Sequence, residues 1–477
     1  MARLTRSLRK ALALCAAALC LAAGVGADVI VLKNGRRISA ANVKEAAGKV
    51  SGETPAGTIS LPVSMVDYIE RDGSVSSPAA SLRWAPPRVS REGAAEAPAA
   101  SPADTVDSAA LGRLRREATG GDATAKARAA EAESAVGARE FSRGNLDEAM
   151  SHAARALEYR PESLPLLLDA AYLQLRRTEY GAALEYLQRA RSAAPDSAEV
   201  AKLSGWAYYG LNRLLSAVEE WRRALSIQPD DEVAAALQKA ERDLEAERGF
   251  REDGSEHFVL KYGGTAAPEL ARGILRQLEA DFQSVAATLD YEPAERIGVL
   301  LYTSQAFADI TRAPGWVGAL NDGRIRIPVQ GLSSVTPELA RVLRHELTHS
   351  LVGGKTRGRC PTWLQEGVAQ WMDGSQITPG SAARLLALYD RHEEPSLLLL
   401  EGPWMKFGQD FASNAYAWSL AVVESLARTG GASDIEHLLD RVAIEPNTEA
   451  ALRGSLRFDY STLSRFAGDY LRKNYAR

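Results

Sequence analysis

The sequence predicts a multidomain chain: a small all-β module, an α-helical solenoid, and an α+β domain with a helical C-terminal lobe. Three observations carry this. Short apolar segments punctuated by Gly and Pro fill residues 28–71. Small residues and prolines recur every 34 positions between residues 126 and 248. The run His345-Glu346-Leu347-Thr348-His349 lies in an amphipathic helical stretch inside the segment 255–477. A length of 477 residues exceeds what one hydrophobic core organises.

The elements follow in chain order. Arg3, Arg6, Arg9 and Lys10 precede an uncharged apolar run, Ala11 to Ala23, and Val25-Gly26-Ala27 offers small residues at the cleavage positions. This is the pattern of a secretory signal peptide, residues 1–27, with Asp28 as the mature start. It predicts export to the periplasm or the cell exterior. The competing reading is a membrane anchor, but the run is short for a bilayer span, so no span is expected after signal removal. Cys15 and Cys20 each follow a leucine, which argues against lipidation. The leader carries four basic and no acidic residues, so its loss takes the formal net charge from -4 to -8. Only Cys360 then remains, which excludes an internal disulfide. No Lys/Arg run interleaved with aromatics points to nucleic acid.

Asp28 to Leu32 leads to Lys33-Asn34-Gly35, and Asn-Gly is a hairpin signal. With Ile38 to Val43, Val50 to Gly52, Gly57 to Leu61 and Val66 to Ile69, about five strands are expected, as a barrel-like or meander module. It carries no catalytic constellation. Residues 72–125 are rich in Ala, Pro, Ser and Gly and read as a flexible linker with a helical end near Ala109 to Ala118.

Ala149, Ala183 and Ala217 are spaced by 34, as are Ala156, Ala190 and Ala224, and Pro161, Pro195 and Pro229. Gly137, Ala171 and Gly205 keep the same period. Small residues let two helices of a hairpin approach closely, and the prolines end each second helix. Leu187 and Trp221 fill equivalent packing positions. Three such units and a helix from Asp231 to Arg248 resemble a tetratricopeptide array. The resemblance implies a concave surface for a protein or peptide partner; a spacer that binds nothing foreign is the other reading.

In the last segment, Phe258 to Tyr262 and Ile297 to Tyr302 read as strands and Ala266 to Leu289 as a helix. Asn321-Asp322-Gly323 reads as a turn, and Arg324-Ile325-Arg326-Ile327-Pro328 alternates as an exposed strand. Pro337 to Gly353 is the motif helix, with Gly353-Gly354 as its stop, and Thr362 to Trp371 is the next helix. Ser381 to Tyr475 is expected to be mostly helical, broken at Gly402-Pro403 and Gly430-Gly431.

His345 and His349, at i and i+4, stand on one helical face and can bind one ion. Glu366, seventeen residues beyond His349 on the next helix, offers a third ligand. Three protein ligands and an open position are what a catalytic Zn2+ requires. Such an ion polarises a carbonyl and brings the pKa of water down to ~7. Glu346, beside the first ligand, is placed to act as general base in amide hydrolysis.

The segment 255–477 resembles the gluzincin, or peptidase MA-like, zinc peptidases. Their H-E-x-x-H is followed by a helix carrying W-x-x-E-G-x-A, here Trp363-Leu364-Gln365-Glu366-Gly367-Val368-Ala369. The resemblance implies that the strand Arg324 to Pro328 is an edge strand pairing with a peptide substrate. It also implies an oxyanion donor from the C-terminal lobe, for which Tyr416 is the candidate; Tyr416 otherwise reads as a buried aromatic, and His392 and His437 are alternatives on solvated faces. Cys360 is either a metal neighbour or a small buried hydrophobe, and Asp373 or Asp390 can orient a ligand histidine.

The expectation is thus an exported zinc metallopeptidase acting on peptides or proteins. The absence of an acidic amine-capturing motif upstream of the zinc helix leans it towards endopeptidase. The alternative is an envelope scaffold that binds partners through its repeats and carries an inactive peptidase-like domain.

Overall fold

The computed structural model describes residues 28–32, 37–46, 48–54, 57–70, 108–263, 268–302, 319–329, 332–402, 404, 409–445 and 447–475. The expected signal peptide, the Lys33-Asn34-Gly35 turn and most of the expected linker lie outside them. Among the described residues, no helix is long and apolar enough to cross a membrane.

The N-terminal unit is an antiparallel sheet of β1 (Asp28–Leu32), β2 (Arg37–Ala46), β3 (Lys49–Thr54), β4 (Gly57–Pro62) and β5 (Val66–Glu70). Its order is β4-β3-β2-β1-β5, a four-strand meander to which β5 returns beside β1. Alternation of side chains across a strand puts Ile30, Val43, Val50 and Val66 into one small core.

The second unit begins with α1 (Ser108–Ala118), whose Leu111 packs against Ala132 and Val136 of α2 (Ala123–Ser142). The helical end expected near Ala109 to Ala118 therefore packs with the repeats. Helical hairpins follow: α2 with α3 (Leu146–Tyr159), α4 (Leu164–Arg176) with α5 (Tyr180–Ala193), and α6 (Ala198–Gly210) with α7 (Leu214–Ile227). α8 (Asp231–Ala246) closes the stack. The periodic alanines at 149, 156, 183, 190 and 217 are fully buried between helices. Gly205 shows why the third repeat needs no Cβ: one built there would lie 2.3 Å from the Trp221 indole nitrogen. Gly205→Ala should lower the thermal midpoint, because overpacking costs ~1–3 kcal/mol against the ~1 kcal/mol that alanine contributes to a helix. A midpoint at or above wild type would mean that Trp221 can move aside.

The repeats and the C-terminal domain meet along the turns that join each hairpin. Gly144, Thr178 and Asn212, one per repeat and 34 residues apart, all have positive φ, at 86°, 64° and 57°. Arg357 pairs with Asp147 beside the first turn. A Cβ on Gly181, beside the second, would lie 2.9 Å from Glu295 Oε1. Asn212 Oδ1 accepts from Arg324 at 3.0 Å in the third.

The C-terminal domain holds a sheet of β6 (Arg251–Gly254), β7 (Phe258–Tyr262), β8 (Ile297–Tyr302), β9 (Leu320–Asn321) and β10 (Ile325–Pro328). Its order is β6-β7-β8-β10-β9, with β7, β8 and β10 parallel and both edges antiparallel. The helices are α9 (Pro268–Leu289), α10 (Pro337–Lys355), α11 (Thr362–Asp373), α12 (Pro379–Asp390), α13 (Gln409–Gly430), α14 (Ala432–Ile444), α15 (Thr448–Leu456) and α16 (Tyr460–Tyr475). One continuous apolar core runs from Phe258 to Leu471.

Two expectations are corrected. The strand Arg324 to Pro328 is not an exposed edge: β10 is flanked by β8 and β9, and Arg324 and Arg326 are 3% and 1% exposed. Their guanidinium groups turn to Asp243 of α8 and to Glu247, which follows it, instead of water. Asp243 Oδ2 accepts from Arg324 Nη2 at 2.6 Å and Arg326 Nη2 at 2.9 Å, and Glu247 Oε1 accepts from Arg324 Nη1 at 2.6 Å. Second, Gly353-Gly354 does not stop the motif helix, which runs on to Lys355. Gly354 serves packing: a Cβ there would lie 2.4 Å from the Tyr291 hydroxyl.

Candidate metal centre

Two helices build the centre. α10 starts at Thr336, whose side chain accepts from Leu339 N at 3.2 Å, with Pro337 as its first residue. Its apolar face (Leu339, Leu343, Leu347, Leu351) is buried, and this rotation also turns His345, Glu346 and His349 inward. α11 ends at Gly374, which takes the left-handed conformation at φ 81°. Gly367 lets α11 meet α13 closely: a Cβ there would lie 2.5 Å from the Ser419 carbonyl oxygen. That approach buries Glu366 against the two histidines.

One ligand atom from each of His345, His349 and Glu366 lies within 4.8 Å of the others; among the described residues this is the one such cluster. Glu366 Oε2 is 3.6 Å from His345 Nε2 and 3.5 Å from His349 Nε2. These spacings are too long for hydrogen bonds and suit a shared cation. His345 Nδ1 is 2.7 Å from Asp373 Oδ2. Asp373 is itself held, Oδ1 accepting from Ser375 N at 2.8 Å. A proton on Nδ1, donated to Asp373, aims Nε2 at Glu366, where a bound cation would take the place of the Nε2 proton.

The electrostatics agree with a cation site. Burial disfavours an imidazolium at His345, yet the hydrogen bond to Asp373 and the nearby carboxylates of Glu366 and Glu346 outweigh it and raise the pKa to about 10. Burial pushes Glu366 up, but both imidazoles override it and hold the carboxyl at about 2. Burial raises Glu346 to about 7. Neither Glu346 oxygen, neither His349 ring nitrogen, nor His345 Nε2 has a hydrogen-bond partner. Leaving so many buried polar atoms unsatisfied is costly unless a ligand completes them. Among the described residues, the donor set of two imidazoles and a carboxylate fits Zn2+. For a Zn2+ ion held by this cluster, Asp373→Ala should weaken binding by ~10–100-fold in a chelator competition while the fold persists; an unchanged affinity would mean that Asp373 does not orient His345.

Tyr416 lies on α13, over the same helix pair. Gln370 Nε2 donates to its carbonyl at 3.1 Å, and its ring meets Trp404 edge to face at 5.0 Å. Burial, with the charges of Glu366 and Glu346, pushes its phenol well above the usual range, so it stays a protonated donor. His392 sits in an exposed turn at φ 57°, and His437 is a solvated neighbour of Glu436; neither joins the cluster. Asp390 pairs with Arg472. Cys360 is buried in the apolar core.

The sequence reading missed Asn321. Its Nδ2 donates to the Glu346 carbonyl at 2.8 Å and to Ser350 Oγ at 2.7 Å, so β9 is fastened to the motif helix.

Comparison with known proteins reaches the repeats. The model of the tetratricopeptide repeat family matches residues 140–205. Among solved structures, the first tetratricopeptide domain of Spaghetti (RPAP3) bound to an HSP90 peptide is similar at 21% identity and TM-score 0.25, covering 25% of this chain and 95% of that chain. The first such domain of the human RPAP3 protein, solved by NMR, is similar at 21% identity and TM-score 0.24, covering 24% and 93%. No curated protein matches the chain. The segment 140–205 is thus a tetratricopeptide repeat segment.

Proposed function

We propose that the chain is an exported zinc-dependent metallopeptidase, of endopeptidase mode, whose catalytic domain is joined to a tetratricopeptide array. The carrying observation is the buried cluster of His345, His349 and Glu366 with Glu346 beside it. The complete W-x-x-E-G-x-A run, from Trp363 to Ala369, supports the gluzincin assignment.

His345, His349 and Glu366 would hold the zinc, with Asp373 fixing the tautomer of His345. Zinc bound there supplies a Lewis acid that polarises the scissile carbonyl and acidifies water. Glu346 takes a proton on a carboxylate oxygen and delivers it to the leaving amine. Its pKa of about 7, raised by burial, matches a group that must both accept and release a proton near neutrality. The Tyr416 hydroxyl donates to the developing oxyanion. The buried walls of the site exclude bulk water and strengthen each of these interactions.

A second reading has its own support. The family match concerns the repeats alone, and relatives of that fold include one bound to a peptide. On that reading the chain is a scaffold in the cell envelope and the peptidase-like domain is inactive. Zinc stoichiometry, with a chelator-sensitive assay on unstructured protein substrates, separates the two. One zinc per chain with turnover lost to chelator is expected; zinc without turnover favours the scaffold. Cleavage-site profiling on a peptide library checks the endopeptidase mode, and products confined to single terminal residues would overturn it.

A further inference from the structure

Asn321 is a two-residue strand's last residue, 6% exposed, and its side-chain amide is fully engaged. Oδ1 accepts from Gly323 N at 3.1 Å, which shapes the turn into β10. The two Nδ2 hydrogens go to the Glu346 carbonyl and to Ser350 Oγ. A flipped amide would set oxygen against a carbonyl, so the network itself fixes the orientation. The Glu346 carbonyl belongs to the helical turn that spans His345 and His349. A bond to it from outside the helix fixes how far α10 is rotated about its own axis.

The turn that carries Asn321 is held from the other side. Asp322 pairs with Arg326 Nε at 2.9 Å and with Lys239 of α8 at 2.8 Å. Arg324 and Arg326, which follow directly, are the residues clasped by Asp243. One path of bonds thus runs from the last repeat helix, through the β9–β10 turn, to the backbone of Glu346.

We propose that Asn321 is a positioning residue for Glu346, and that the repeat array sets its placement through Asp243, Arg324, Arg326 and Asp322. This rests on the peptidase reading of the site. The repeats are then a structural part of the catalytic domain. A positioning role predicts a loss of turnover without a loss of zinc, because the side chains of His345, His349 and Glu366 are untouched.

The test uses the full chain with Asn321→Asp and Asn321→Ala. Asn321→Asp keeps the acceptor for Gly323 N and removes both donated bonds; Asn321→Ala removes all three without placing an oxygen against the carbonyl. Expected are a kcat at least tenfold lower, a KM within twofold of wild type and one zinc per chain. Hydrogen exchange in residues 342–351 should be at least tenfold faster, at a global thermal midpoint close to wild type. In Asp243→Asn, exchange should rise in both 319–329 and 342–351. Unchanged exchange in 342–351 for both Asn321 variants overturns the positioning role. A rise confined to 319–329 in Asp243→Asn overturns the link to the repeats. Wild-type chain that holds zinc and does not hydrolyse peptides sinks the peptidase reading instead, and the exchange measurements still decide the role of Asn321.

Discussion

Replacing Glu346 with Gln should leave zinc bound at His345, His349 and Glu366 and lower kcat by ~10²–10⁴-fold, the usual contribution of a general base. The amide has the shape of the carboxyl and cannot take up a proton. None of the three ligand atoms is altered, so affinity in a chelator competition should stay within a few fold. Stability should not suffer either. Glu346 is fully buried and neither of its oxygens is hydrogen-bonded, so a neutral isostere removes a group that is expensive to ionise there. A variant that cleaves as fast as wild type would overturn the mechanism. One that loses zinc would make Glu346 a ligand.

The second large effect is on stability. Asp243→Ala should destabilise the joined repeats and C-terminal domain by ~3–5 kcal/mol, the cost of leaving buried charge uncompensated. For a unit of this size that corresponds to a thermal midpoint lower by roughly 4–7 °C. Asp243 is 2% exposed and accepts from two arginines that are themselves buried. Removing it leaves Arg326 with Asp322 and Arg324 with Glu247, and less negative than positive charge in the same space. Replacing Asp243, Arg324 and Arg326 together with apolar residues of similar volume should restore only part of the loss, because Asp322 and Glu247 then keep only Lys239 and Lys261 as partners. If Asp243→Ala melts with wild type, the cluster is not the clasp that the distances indicate.

The same clasp should make the joint acid-labile. Burial opposes ionisation of Asp243 and Asp322, but the neighbouring arginines and Lys239 outweigh it and hold both carboxyls below the usual range. A carboxyl depressed in the folded state contributes stability that is present above its unfolded pKa of ~3.9 and is lost as pH falls towards the folded value. Unfolding at decreasing pH should therefore begin below ~pH 4, and earlier in Asp243→Asn than expected from net charge alone.

Much of the centre was legible in the residues. An i, i+4 histidine pair forces a shared helical face, and a carboxylate on the following helix had to fold back near it. Choosing between Asp373 and Asp390 was beyond the sequence, because the choice depends on which helix end comes to rest against His345. Asp373 does so at the end of α11, while Asp390 pairs with Arg472. The burial of Arg324 and Arg326 was hidden for a similar reason. Alternation with Ile325 and Ile327 reads as a solvated strand face, and the carboxylates that cover it come from more than seventy positions upstream. One clue was present. Asp243 stands 34 and 68 residues after Tyr209 and Leu175, so a carboxylate occupies a register that elsewhere holds a packing residue. Gly353-Gly354 misled in the other direction, since glycine demanded by a close neighbour looks the same as glycine demanded by a helix end.

The three positive-φ turns at Gly144, Thr178 and Asn212 have a consequence for how this chain can evolve. A solenoid standing free can gain or lose a repeat by duplication or deletion, since each unit touches only its neighbours. Here every rung also meets its own counterpart on the adjoining domain: Arg357 near the first, Glu295 near the second, Arg324 at the third. Inserting one more unit would move two of those meetings out of step by a whole rung. The array works as a ruler of fixed length, and its repeat number is locked by the domain it is measured against.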